Sequence, residues 1–99
     1  MANIFYGFKV GVTIRALRNF FNLSQSDLAN EAGISRPTIS KLEKCIYTNQ
    51  SVETLETLLN YFRSKGVKIN IIDDEIELFF SEEALDKALY PDLPLPIDD

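Results

Sequence analysis

The sequence contains no histidine, no tryptophan and a single cysteine, Cys45. Without histidine the chain lacks the commonest general base and the commonest metal ligand, and it cannot build a Ser-His or Cys-His nucleophile pair. One cysteine excludes an internal disulfide framework and a zinc site made of several cysteines. No phosphate-binding loop is present either. An enzyme is therefore a weak hypothesis, and we expect no cofactor and no metal site.

Long apolar runs are missing as well. No run approaches the roughly 20 residues that span a bilayer, and the N-terminal segment lacks the basic and apolar stretches of a secretory signal. We therefore expect a cytoplasmic protein that does not interact with a membrane. Its 99 residues, of which 45% are hydrophobic and 25% charged, suffice for one domain with one modest core.

The net charge of -5 argues at first against a nucleic-acid partner. The charge is unevenly distributed, however, because residues 1–48 carry a net charge of +3 and residues 49–99 a net charge of -8. A basic half joined to an acidic half indicates one face that meets a polyanion. Chance clustering of charged residues would produce the same imbalance.

Apolar residues at helical spacing predict two longer helices. The first runs from about Val12 to Phe21, because Gly7 and Gly11 ahead of it are typical helix breakers. The other, the fourth helix in chain order, runs from about Val52 to Lys65, and Gly66 directly after it terminates the helix.

Between these two helices, the sequence predicts two short helices joined by a tight turn. Ser24–Asp27 is an S-x-x-D capping box, which starts a helix that runs to about Ala32. Gly33 suits the positive φ at which a helix ends. Ser35 can cap the next helix, and Pro37 falls in its first turn, where a missing N–H costs nothing.

After Gly66 the apolar period changes to two, which predicts a β-hairpin with one apolar face and a turn at Asp73-Asp74. Ser81 then caps a last helix that runs to about Tyr90. Residues 91–99 are acidic and rich in proline, so we expect an extended tail.

The segment Leu23–Glu43, LSQSDLANEAGISRPTISKLE, resembles the helix-turn-helix of the Cro and phage-repressor family, also called the XRE family. The resemblance is carried by Leu23, Gln25, Leu28, Ala29, Gly33, Ile34, Ser35, Ile39, Leu42 and Glu43. It extends less sharply over residues 12–65, and the hairpin is similar to an extension found in some small members.

The resemblance implies a mainly α fold, a lambda-repressor-like helix-turn-helix bundle of four to five helices with a C-terminal β-hairpin. We expect residues 1–65 to form the DNA-binding domain and residues 66–90, the hairpin and short helix, to mediate dimerisation. Residues 91–99 form the tail.

The second of the two short helices, which Ser35 caps and which is the third helix in chain order, supplies the candidate DNA contacts together with its surroundings. A major groove admits one α-helix, whose exposed side chains read base edges. Arginine and lysine can donate to guanine, whereas the proline ring and the threonine methyl group can contact thymine. The resemblance also implies a phosphate contact at Gln25, at a helix N-terminus. The candidate DNA-binding residues are Gln25, Ser35, Arg36, Pro37, Thr38, Ser40, Lys41, Lys44, Tyr47 and Asn49.

Each of these assignments has a structural alternative. Arg36 and Lys41 could form a solvated helix face, and Gln25 could be only a good helix former. Arg15 and Arg18 on the first helix are expected to be surface charges, with contact to phosphate as the alternative.

The hairpin is the candidate dimer interface, because a lone two-stranded hairpin is marginal in water. The candidate interface residues are Ile69, Ile71, Ile76, Leu78 and Phe80. The alternative is that the hairpin folds against the fourth helix of its own chain.

The sequence therefore predicts a regulator that binds double-stranded DNA, most simply a homodimeric repressor of a palindromic operator. The alternative is the antitoxin of a toxin–antitoxin pair, in which the segment Asp86–Asp99 wraps a toxin as protein partner and the chain represses its own operon.

Overall fold

The computed structural model describes residues 4–44, 52–73 and 75–89 of the chain. Across these residues we find no helix with the length and hydrophobicity that a membrane span requires. Cys45, the candidate DNA contacts Tyr47 and Asn49, and the predicted tail lie outside the described residues. The elements are α1 (Ile4–Phe20), α2 (Gln25–Ala32), α3 (Arg36–Glu43), α4 (Val52–Ser64), β1 (Val67–Ile72), β2 (Glu75–Phe80) and α5 (Glu82–Leu89).

The fold is mainly helical and carries a two-stranded antiparallel hairpin near its C-terminal end, as predicted. The predicted start of the first helix at Val12 is wrong, because α1 begins at Ile4 and continues through Gly7 and Gly11. A glycine inside a helix costs about 1 kcal/mol relative to alanine, so the pattern favours a break there. The packing of α1 against α3 and α4 overrides this local preference.

Gly11 lies where α1 contacts the end of α3. A Cβ atom at this position would overlap the carbonyl oxygen of Leu42 and lie 3.0 Å from its carbonyl carbon. Glycine therefore lets two helix backbones approach each other more closely than any other residue would allow. The residue that suggests a helix break instead marks a helix–helix contact.

The caps of α2 and α3 and the turn between these helices form as predicted. The Oγ of Ser24 accepts from the amide of Asp27 at 2.9 Å, and the Asp27 carboxylate accepts from the amide of Ser24 at 3.0 Å. The latter hydrogen bond holds the pKa of the Asp27 carboxyl below its usual value. Gly33 ends α2 with a φ of 73°, and Ser35 caps α3. The capping box, the positive φ and the Ser35 cap are confirmed.

One apolar core joins all five helices and β1. It combines residues of α1 to α4 with residues of the hairpin and α5, which therefore complete the same core. Its members are Val10, Ile14, Leu17, Phe21, Leu28, Ala29, Ile39, Leu42, Leu55, Leu58, Leu59, Phe62, Val67, Ile69 and Ala84.

The hairpin has a regular register. Val67 pairs with Phe80, Ile69 with Leu78, and Ile71 with Ile76, so these six side chains share the apolar face that alternation predicts. Asp73 has a φ of 53° in the turn, where aspartate is one of the residues that tolerate a left-handed conformation. Its neighbour Asp74 lies outside the described residues.

The candidate dimer residues differ in how far their own chain covers them. β1 packs on α4, which is the alternative left open by the sequence. Ile69 is only 4% exposed, so its side chain is already covered within one chain. Ile71, Ile76 and Leu78 are half-buried, and Phe80 is 39% exposed. Their part in a dimer stays a prediction.

We expect Gly11→Ala to lower the free energy of unfolding by about 1–3 kcal/mol, the usual cost of overpacking. The new methyl group overlaps the backbone of α3, and the gain in helix propensity of about 0.5–1 kcal/mol is smaller. Urea denaturation followed by circular dichroism measures the change. The control is Val12→Ala at the exposed neighbouring position, which should change stability by less than about 0.5 kcal/mol. A Gly11→Ala protein as stable as the parent would contradict the close α1–α3 contact.

Candidate DNA interface

The helix α3 has two sides with different tasks. Ile39 and Leu42 are buried and hold the helix in the core, whereas Arg36, Pro37 and Lys41 are exposed on the other side. An α-helix anchored along one side can place its exposed side in the major groove, which is wide enough for one helix. The structure therefore brings Arg36, Pro37 and Lys41 onto one accessible surface.

The first turn of α3 is held by its cap. The Oγ of Ser35 accepts from the amide of Thr38 at 3.3 Å, and the two hydroxyl oxygens are 2.7 Å apart. Ser35 is exposed, while Thr38 and Ser40 are half-buried. Because the Thr38 hydroxyl is engaged with Ser35, the proposed contact of Thr38 with thymine is one that its methyl group would make.

Three basic side chains are available around α3. Arg36, Lys41 and Lys44 are exposed, and none of them takes part in an ion pair with another residue that the structure describes. Lys44 is the C-cap of α3. Cations that the protein itself does not neutralise attract phosphate groups most strongly. This surface is therefore suited to a polyanion, although the chain as a whole is acidic.

Gln25 is the first residue of α2 and is half-buried. Its side-chain nitrogen donates to the Glu43 carboxylate at 3.3 Å, so the end of α3 orients the amide group. A side-chain amide carries two N–H donors, and one hydrogen bond leaves the second for another acceptor. The position at a helix N-terminus adds a favourable dipole for an anion.

The expectation that Arg18 is a surface charge is wrong. Its Nε donates to Glu43 at 2.7 Å and its Nη2 donates to the other carboxylate oxygen at 2.8 Å, which is a bidentate ion pair. The third nitrogen, Nη1, donates to the carbonyl of Leu23 at 2.8 Å. The two side chains are only 16% and 4% exposed. The hydrogen bond with Glu43 raises the pKa of the Arg18 guanidinium. Arg15, by contrast, is exposed as expected.

The Arg18–Glu43 pair has a signal in the sequence that is easily missed. Arg18 lies four residues after Ile14 and three before Phe21, so it falls on their helical stripe, and Glu43 lies four residues after Ile39. A charge on a buried stripe needs a partner of opposite sign. Two such charges on neighbouring helices could have predicted the ion pair.

A second polar link positions α2 against α4. The hydroxyl of Tyr61 donates to the carboxylate of Glu31, and the Lys65 ammonium lies 3.6 Å from that carboxylate. Burial, together with the hydrogen bond to Glu31, raises the pKa of Tyr61. Because both links end on α2 or α3, the orientation of these helices is fixed from two sides.

Among the residues that the structure describes, no cluster of acidic or cysteine side chains has the arrangement of a metal site. The candidate contacts Tyr47 and Asn49 lie outside those residues.

Comparison with known proteins yields one match. A family model described as helix-turn-helix matches residues 14–68, which is more than half of the chain. The matched range contains α2, α3 and α4 in full, the part of α1 from Ile14 onward and the first residues of β1. No curated protein and no solved structure matches the chain significantly.

We expect Arg18→Ala to lower the free energy of unfolding by about 3–5 kcal/mol, because it leaves a buried carboxylate without its partner. Thermal and urea denaturation measure this. Arg15→Ala, on the exposed side of the same helix, is the control and should change stability by less than about 0.5 kcal/mol.

The double variant Arg18→Met/Glu43→Leu separates the cost of an unpaired buried charge from the cost of lost packing. With both charges removed, no buried charge is left unpaired, so most of the lost stability should return. A double variant that is less stable than Arg18→Ala would contradict this explanation.

Proposed function

Because the chain belongs to the Cro and phage-repressor (XRE) family of helix-turn-helix proteins and is a DNA-binding transcription regulator, we propose that it is a homodimeric repressor of a palindromic operator. Repression would follow from occupancy, since a dimer that overlaps a promoter excludes RNA polymerase. An operator at a different distance from the promoter would permit activation through the same contacts.

The observation that carries this proposal is the exposed side of α3. Arg36 and Lys41 project from a helix whose opposite side is anchored by Ile39 and Leu42. Arginine and lysine donors match the O6 and N7 acceptors of guanine in the major groove. We therefore assign base reading to Arg36 and Lys41, with Pro37 as an apolar contact in the same helical turn.

Contacts to the DNA backbone would position this reader without selecting a sequence. We propose phosphate contacts for Gln25 at the start of α2 and Lys44 at the end of α3, and for Tyr47 and Asn49, which follow Lys44 closely in the chain. The Arg18–Glu43 ion pair supports Gln25 through the hydrogen bond between Gln25 and Glu43. Loss of any one of these contacts would weaken binding to all sequences equally.

One α3 helix reads only a few base pairs, so a palindromic operator requires two copies about 34 Å apart. We propose that the two chains meet through the hairpin. Among the residues that the structure describes, the sheet has only two strands, so each strand has one edge without a β partner there. Ile71 and Ile76 pair near the turn and are only half-buried.

The alternative is an antitoxin that binds a toxin and represses its own operon. The same helix-turn-helix would bind the operator in either case, and the acidic segment Asp86–Asp99 would bind the toxin. A neighbouring gene for a small basic protein would favour this alternative over a stand-alone repressor.

Selection of bound DNA from a random pool tests the proposal most directly. A palindromic consensus with half-sites one helical turn apart would support a dimer that reads DNA with α3. Recovery of sequences without a common motif would contradict sequence-specific binding.

We expect Lys41→Ala to weaken binding to the selected operator by about 1–3 kcal/mol and to relax the preference at one base position. Gln25→Ala, by contrast, should weaken binding to all operator variants by a similar factor, because a phosphate contact carries no sequence information. Titrations with a panel of single-base operator variants measure both effects, and circular dichroism checks that helix content is unchanged. If Lys41→Ala bound the operator with unaltered affinity, the assignment of α3 as the helix that contacts the bases would be wrong.

We expect Ile71→Glu to produce a monomer that binds the full operator weakly, because a carboxylate at a buried interface costs several kcal/mol. The matched control is Ile71→Val, which keeps the surface apolar. Sedimentation equilibrium measures the mass of each variant. A dimeric Ile71→Glu protein with full operator affinity would place the interface elsewhere.

A further inference from the structure

The outer side of α5 carries two exposed leucines beside two acidic residues. Leu85 is 42% exposed and Leu89 is 67% exposed, while Ala84 and Ala88 face the core. Residues four apart are neighbours on a helix, so Leu85 and Leu89 form one row and Glu82 and Asp86 form the adjacent row. We call these four residues the α5 surface: Glu82, Leu85, Asp86 and Leu89.

The acidic side chains of the α5 surface are not neutralised within the part of the chain that the structure describes. The basic residue of this helix, Lys87, bonds to Glu83 at 2.8 Å, and both lie on the other side of α5. Neither Glu82 nor Asp86 forms an ion pair with a described residue. The surface therefore combines exposed apolar area with uncompensated negative charge.

The sign of this charge excludes several occupants. DNA and anionic lipid headgroups are repelled by carboxylates. A symmetric contact between two copies would bring Glu82 and Asp86 of both copies into one interface, and like charges gathered at an interface cost affinity. The chain's own residues 91–99 contain three aspartates and no lysine or arginine, so they do not fit either.

We infer that the α5 surface binds a different protein, one that presents apolar side chains flanked by lysine or arginine. Such a partner would cover Leu85 and Leu89 and neutralise Glu82 and Asp86 at the same time. α5 makes its main contact with β2, whereas α3 packs on α1 and α2. A partner on α5 therefore need not touch the DNA-reading helix. This inference goes beyond the proposed operator binding and does not depend on it.

The test uses two fluorescein-labelled amphipathic helical peptides of the same apolar pattern, one with lysine and leucine and one with glutamate and leucine. Fluorescence anisotropy with the full chain should show binding of the lysine peptide and none of the glutamate peptide. We expect Leu85→Ser/Leu89→Ser and Glu82→Gln/Asp86→Asn each to weaken this binding by about tenfold or more, since apolar burial and charge pairing both contribute.

The matched control is Glu75→Gln/Glu77→Gln, which removes the same number of charges from exposed positions of β2. This variant should keep its affinity within about a factor of two, because its charges lie outside the α5 surface and salt screens exposed charges. If both charge variants weakened peptide binding equally, the binding would depend only on the net charge of the chain, and the inference would be overturned. Binding of the glutamate peptide, or unchanged affinity of the leucine variant, would also overturn it.

Sedimentation of the leucine variant provides a further check. A dimer that dissociates on Leu85→Ser/Leu89→Ser would mean that a second copy covers the α5 surface, which contradicts the inference. Operator affinity measured on the same variants separates the two proposals. Intact DNA binding with lost peptide binding supports the α5 inference, whereas absence of DNA binding in the parent chain would overturn only the operator proposal.

Discussion

The orientation of α3, the proposed DNA-reading helix, depends on the ion pair between Arg18 and Glu43. It joins the end of α1, the carbonyl of Leu23 in the following turn, the start of α2 through Gln25, and the end of α3. A carboxylate that is only 4% exposed has lost nearly all of its water, so it is stable only while the guanidinium supplies matching donors. Because this geometry is bidentate, it fixes direction as well as distance.

The close contact at Gly11 works together with this ion pair. Gly11 and Arg18 are two turns apart on α1, and both meet the end of α3, one at the backbone of Leu42 and the other at Glu43. An apolar core alone would permit α3 to slide or rotate, since dispersion contacts have little directionality. The backbone contact and the ion pair remove that freedom. A helix that reads base edges needs such a fixed position.

The distribution of charge separates two surfaces of the molecule. Around α3 the basic residues Arg36, Lys41 and Lys44 have no acidic partner among the described residues, because the nearby Glu43 is already neutralised by Arg18. On α5 the unpaired charge is negative, because Glu82 and Asp86 have no basic partner among the residues that the structure describes. An acidic net charge is therefore compatible with DNA binding, since local potential governs association at a given surface.

The sequence alone determined the helix-turn-helix, because capping at Ser24 and Ser35, the positive φ of Gly33 and the helical spacing of Ile39 and Leu42 are local properties. The alternation in residues 67–80 likewise determined the hairpin. Tertiary structure decided that α1 passes through Gly11 and that Arg18 is paired, because each depends on a residue more than twenty positions away. It also decided that Ile69 is covered by its own chain, since burial depends on which element packs on the strand.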